Sequence, residues 1–355
     1  MTFGGVWVDS NRTWYYLIYL AGWFFKLFRM RTPRLFLYTV MLGVVPLCLM
    51  ADHPGARVIE YFGYDDALEL TNGECTAILT PAIGGKIMSY QLHGKEALEI
   101  IPGEEGYRYD PDNPGERIFS GAGRFDFGLE RRIASRDEIW LGAWESEITG
   151  PRQATLTSVK HKATGMQVVR TFTLAAKGSH LSCKQTLINI GKKTKQHNHW
   201  SRTFGKGGGI VVIPTSDWSR YINHYAMYEP DNRINMLPEN EGIYLKDDCL
   251  VISQAPEYPK LGMDSMEGWF SYLIPNDLLF VKKYPVFPEK NYAERIPMTI
   301  SIWYVENFRD TLTTAELEPI GPLETIAPGE RVSFTEDWYL VEHGFPLDKE
   351  KLDVK

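Results

Sequence analysis

From about residue 57 onward the sequence is broken by turn signals at short, regular intervals, and this spacing constrains the fold more than any other feature. ALELTNGECTAILTP reads as two strands around Asn72-Gly73, a pair suited to a tight hairpin turn. KIMSYQLHGKEALEI repeats the pattern with His93-Gly94 at the turn. Between Ile148 and Gly191 at least three further strands follow, turning at Ala163–Gly165 and Ala176–Ser179, and the same alternation returns from Gly268 to Val341. Turns spaced ~8–12 residues apart describe a sandwich of antiparallel sheets.

Helical periodicity is nearly absent. Short pieces such as Asp126–Ser135 are the candidates, and Gly128 weakens this one. Two long irregular stretches, Ile101–Gly123 and Tyr225–Tyr244, have the length of binding loops or lids. There is no internal repeat and no linker, so residues 52–347 read as one large β domain, followed by a charged tail at 348–355.

The N-terminus is different in kind. Arg31-Thr32-Pro33-Arg34 precedes the uncharged run Leu35–Ala51, the order of a secretory signal, with Met30 as its natural start. Residues 1–29 then read as an over-extended start or an extra N-terminal segment, and 30–51 as a signal peptide or membrane anchor. The expectation is an exported protein, periplasmic or extracellular. The alternative is one held at the membrane through an uncleaved N-terminal segment. Cys75, Cys183 and Cys249 then remain, an odd number without a CxxC pair, which reads as buried free thiols. A formal net charge of −7 with no basic stripe argues against nucleic acid as a partner.

Lys195–Trp200, KQHNHW, carries the most chemistry in the least space. In a strand His197 and His199 share one face, while Asn198 and Trp200 take the other. Two histidines at this spacing suit acid/base work or packing. They suit a metal only with a third ligand, for which His93, His224 or Asp217 are candidates. No metal or other cofactor is assigned.

Three segments, in order, resemble galactose mutarotase (aldose 1-epimerase)-like domains. LTNGECTAILTPAIGGKIMSYQLHGKEALE is similar to their opening hairpin and Gly-Gly-Arg/Lys-Ile turn. QTLINIGKKTKQHNHW resembles the strand pair that carries the catalytic histidine, and TAELEPIGPLETIAPGE the late strand that carries the catalytic glutamate. The resemblance implies an all-β supersandwich of two large antiparallel sheets, with a sugar held in the concavity of one.

By that resemblance His199 is the acid and Glu318 the base of an epimerase-like reaction, a mono- or oligosaccharide is the partner, and an acidic sugar is admitted. Substrate contacts are expected from Arg124, Asp126, His197, Arg202, Lys283 and Glu316. Two features depart from the family pattern: no histidine occurs in Gly121–Arg132, and Lys86 stands where relatives have arginine. Three functions remain open: a carbohydrate-active enzyme, a non-catalytic carbohydrate-binding module, and a membrane-anchored envelope structural protein.

Overall fold

A computed structural model describes residues 53–349, apart from 114–117, 119 and 131, together with Leu352. The signal or anchor expected before residue 52 lies outside the described residues. Among the described residues no helix is long and apolar enough to cross a membrane.

Two antiparallel sheets dominate. The first has twelve strands, in the order Ala56–Tyr61, Tyr64–Thr71, Cys75–Thr80, Lys86–Leu92, Gly123–Phe127, His199–Lys206, Leu312–Pro319, Ile300–Phe308, Lys260–Met263, Ala226–Tyr228 and Ile234–Asn235, with Lys95–Glu96 pairing beside Lys86–Leu92. The second has ten strands and includes Met166–Leu174, Leu181–Asn189, Arg331–Glu342 and Leu278–Lys283. Lys195–His197 and Glu324–Ile326 form a small separate pair.

The turn chemistry explains the register. Asn72 Oδ1 accepts the backbone N–H groups of Glu74 and Cys75, closing the first hairpin. His93 and Gly94 both have positive φ, 48° and 78°, the backbone of a type I′ turn. Among the described residues Cys75, Cys183 and Cys249 are buried and free. The short helix falls at Asp137–Leu141, not within Asp126–Ser135, because Asp126 and Phe127 are taken by a strand of the twelve-stranded sheet.

Alternation sets the core. Met166–Leu174 buries every second side chain completely and leaves the others half-buried, as expected of a strand with one face on the core and one toward solvent. The middle of the twelve-stranded sheet breaks this rule. Gly123–Phe127, His199–Lys206 and Leu312–Pro319 are buried on both faces. On the inner face Phe125 stacks on Trp338 of the ten-stranded sheet at 5.6 Å. The opposite face carries Arg124, Asp126, Arg202, Glu316 and Glu318, all buried. Charged side chains are seldom buried unless paired, so this second, covered face is where function is to be sought.

The Gly-Gly-Lys-Ile turn at Gly84–Ile87 positions a cover for that face. Both glycines have positive φ, and a Cβ at Gly84 would lie 2.0 Å from the Trp140 carbonyl oxygen. Gly84 N–H donates to Gly142 O at 2.8 Å, and buried Arg170 donates to the Gly84 and Gly85 carbonyls at 2.6 and 2.8 Å. The helix that carries Trp140 is thereby tied to the turn between two inner strands of the sheet, Cys75–Thr80 and Lys86–Leu92.

Candidate functional site

In an antiparallel pair, directly opposite residues share a face. Arg202 lies opposite Arg124, Trp200 opposite Asp126, Phe204 opposite Glu316, and Glu316 in turn opposite Trp303. Lys260 lies opposite Trp303 on the next strand. Five neighbouring strands thus deliver one row of charged and aromatic side chains to the covered face.

Asp126 lies beneath the row. It accepts from Arg136 Nε at 2.7 Å, Trp140 Nε1 at 2.9 Å and Arg202 Nε at 3.2 Å. Burial alone would raise its pKa, but Arg136 and Arg202 overcome that and hold it down at about 2. Arg202 reaches onward to Glu130 Oε1 at 2.6 Å, and its guanidinium lies 4.4 Å from the Trp200 ring centre. Burial works against the Arg202 charge, yet Glu318, Glu130 and Asp126 together raise its pKa well above the usual value. Glu130 meets Lys260 Nζ at 3.5 Å as well. Burial would raise the Glu130 pKa, but Arg202 and Lys260 bring it to about 2. Arg124 pairs with Glu316 at 2.9 Å and stands 4.9 Å from the Trp140 ring.

Glu318 is sealed below Arg202. Its side chain is fully buried, Ser301 lies opposite it on the next strand, and Arg202 Nη1 is 3.5 Å away. Burial, then the neighbouring Glu316, raises its pKa well above the carboxylate range.

Two cavities open above this network. The larger, about 460 Å³, is lined by Arg124, Trp140, Trp303, Arg309 and Glu316, with Ile118 from the first long loop. The smaller, about 300 Å³, is lined by Trp200, Tyr228, Glu294, Arg295, Arg132 and Met298. Glu130 and Lys260 line both, so the cavities form one groove.

Glu294 is the titratable group of the smaller cavity. Burial, with help from Glu130, raises its pKa to about 7. Its Oε2 accepts the Glu130 N–H at 3.4 Å, and the neighbouring Asn198 side chain works against the rise. A Cβ on Gly128 would come within 2.2 Å of both Glu294 Oε1 and Asn198 Oδ1, so a larger residue there would displace these side chains.

The expected site residues divide into two groups. Arg124, Arg202 and Glu316 line the groove, with Asp126 and Glu318 directly beneath. His199, His197 and Lys283 do not belong to it. His199 points between the two sheets, its ring stacked 5.5 Å from Phe334, and burial drops its pKa to about 3. His197 donates from Nδ1 to Gly128 O at 2.6 Å and meets Phe127 edge-on, so it packs beneath a turn and faces no ligand. Lys283 is exposed on the ten-stranded sheet, while adjacent Lys282 is buried against Ser201, Thr203 and Glu336. Among the described residues no group of three or more His, Cys, Asp or Glu side chains could hold a metal ion, so the histidine pair gains no third ligand there.

Lys260, Glu294, Trp140 and Tyr228 had no motif to announce them. The sequence did carry one signal: the alternation that puts Trp200 opposite to the histidines also puts it beside Arg202.

No family model and no curated protein matches this chain in sequence. Its fold is that of galactose mutarotase-like proteins. One such protein from Clostridium acetobutylicum superposes with a TM-score of 0.53 at 11% identity, covering 82% of this chain and 99% of its own. Another from Lactobacillus casei ATCC 334 gives 0.52 at 11% identity, covering 78% and 100%. An Escherichia coli K12 protein assigned provisionally as an aldose 1-epimerase gives 0.54 at 13% identity, covering 77% and 98%. At these identities the likeness establishes the fold.

Proposed function

We propose that this protein binds a saccharide in the groove on the covered face of the twelve-stranded sheet. One observation carries the reading. Trp303 and Trp140 stand in the same cavity as the Arg124–Glu316 pair, and Glu130 ties it to Arg202 and Lys260. Flat apolar faces beside fixed donors and acceptors match a pyranose, which has apolar C–H faces and a rim of hydroxyl groups. Solved proteins of the same fold that are described as mutarotase-like add support.

Binding is better supported than turnover. Mutarotation needs one group to take the anomeric proton and another to protonate the ring oxygen, on either side of the sugar. A His199–Glu318 pair is not arranged for this, since the two side chains leave the sheet on opposite faces. Glu130 and Glu316 line the groove with arginines already bound to them. The observation that favours turnover is Glu294, whose pKa of about 7 suits a group that both gives and takes a proton.

The test is calorimetric titration of wild type, Trp303→Ala and Lys260→Ala with a panel of mono- and oligosaccharides, with NMR to follow anomer exchange and product formation. Binding by wild type that weakens ~10-fold or more in both variants supports the groove. Product formation abolished by Glu294→Gln would make the protein an enzyme. Binding untouched by either groove variant removes the reading. Action outside the cytoplasm is part of the same proposal and rests on the signal-like Leu35–Ala51. N-terminal sequencing of the exported protein decides between cleavage near Ala51 and an anchor.

A further inference from the structure

The two ends of the groove differ in charge. In the larger cavity each cation has a carboxylate: Arg124 has Glu316, Arg202 has Glu130 and Asp126, and Arg309 has Glu104 at 3.4 Å. The smaller cavity carries Arg132 and Arg295, and among the described residues neither has an ion-pair partner. Arg295 lies 5.4 Å from the Tyr228 ring centre, so its cation is held at the cavity wall without being neutralised. Lys260 stands at the junction and shares Glu130 with Arg202. The acid at this end, Glu294, lines the cavity, and burial raises its pKa to about 7.

Size points the same way. Ligand sites span ~300–1,000 Å³, and each cavity alone lies toward the lower bound. The two share Glu130 and Lys260. A ligand crossing that ion pair reaches aromatic rings on both sides, Tyr228 in one direction and Trp303 in the other.

We infer that the ligand is an acidic oligosaccharide of at least two units, with a carboxylate-bearing unit in the smaller cavity against Arg132 and Arg295 and its neighbour in the larger cavity against Trp303. This rests on the carbohydrate reading above and narrows it to a substrate class. Arginine recognises a carboxylate by two parallel hydrogen bonds. A protonated Glu294 offers a further donor at the same end.

The experiment is calorimetric titration with mono-, di- and trimers of galacturonate, glucuronate and mannuronate, beside their neutral counterparts. One acidic dimer is expected to bind at least ~10-fold tighter than its neutral counterpart and than its own monomer. The Arg132→Gln/Arg295→Gln double variant, altered at the groove rim, should erase the first difference, and Trp303→Ala the second. Thermal melts of both variants check that the fold is intact. Equal affinity for acidic and neutral dimers, or for dimer and monomer, overturns this inference and leaves the carbohydrate reading standing. No binding by any member of either series overturns both.

Discussion

The His199 imidazole and the Glu318 carboxyl group leave the same sheet on opposite faces. His199 lies opposite Phe127 and stacks on Phe334 between the sheets, whereas Glu318 lies opposite Ser301 and faces Arg202. A side-chain period of two fixes this. In the pairing of the two strands Thr203 stands opposite Leu317, so an odd-numbered residue of the first strand shares a face with an odd-numbered residue of the second.

The histidine is accordingly a stability residue. Its folded pKa of about 3 lies below the unfolded value of ~6.5, so the unfolded chain binds the extra proton between those pH values. Stability conferred by the neutral ring is present above pH ~6.5 and falls by up to ~1.4 kcal/mol per unit as pH drops toward 3. His199→Phe keeps an aromatic ring against Phe334 and should flatten that slope in urea titrations from pH 4 to 7. Its saccharide affinity should stay within about twofold of wild type. A large loss of affinity in a folded variant would return His199 to the site.

Much of the fold was legible because its signals are local. Asn72-Gly73 and His93-Gly94 turn where their backbone preferences require, and alternation within His199–Lys206 sets Trp200 and Arg202 on the face away from His199, while His197 ends a separate short strand. Alternation tells which residues share a face but not which face meets the partner sheet. Here the tryptophan and arginine face carries the groove, and the histidine face carries the core. The resemblance pointed to the strand but could not supply that choice. Lys260, Trp140 and Glu294 were illegible for a different reason. Each reaches the groove through long-range placement, by pairing with Trp303, by the Gly84 tether, or by a loop folded over Gly128.

Asp126→Asn tests the ion network. The substitution leaves the Arg136 and Arg202 guanidinium groups buried with one carboxylate fewer, and breaking such a network costs about 3–5 kcal/mol. The Asp126 pKa is depressed to about 2, so its contribution is present above the unfolded value of ~3.9 and disappears as pH falls through 2. Wild type should therefore exceed the variant in denaturant midpoint at pH 6, with the gap narrowing near pH 2.5.

Gly84→Ala tests the tether of Trp140. A side chain there meets a backbone conformation of φ +64° and the Trp140 carbonyl at 2.0 Å. The left-handed backbone alone costs roughly 1–2 kcal/mol, and the clash pushes the Asp137–Leu141 helix away from the sheet. Lower melting temperature together with weaker saccharide binding is expected. Unchanged affinity would mean that Trp140 does not contribute to the groove.

Glu294 gives the opposite pH signature to Asp126. Its folded pKa of about 7 exceeds the unfolded carboxylate value of ~4.3, so the folded state keeps a proton that the unfolded chain loses. The linked stability is fully present below pH ~4.3 and is lost as pH rises through 7. Glu294→Gln mimics the protonated form at every pH. The variant should match wild type in denaturant midpoint at pH 4 and surpass it at pH 8. Burial and Glu130 cause the shift, so Glu130→Gln should lower the Glu294 pKa, readable by carboxyl-carbon NMR titration. A Glu294 carboxyl that titrates near 4 in wild type would remove the proton that both the turnover reading and the acidic-ligand inference draw on.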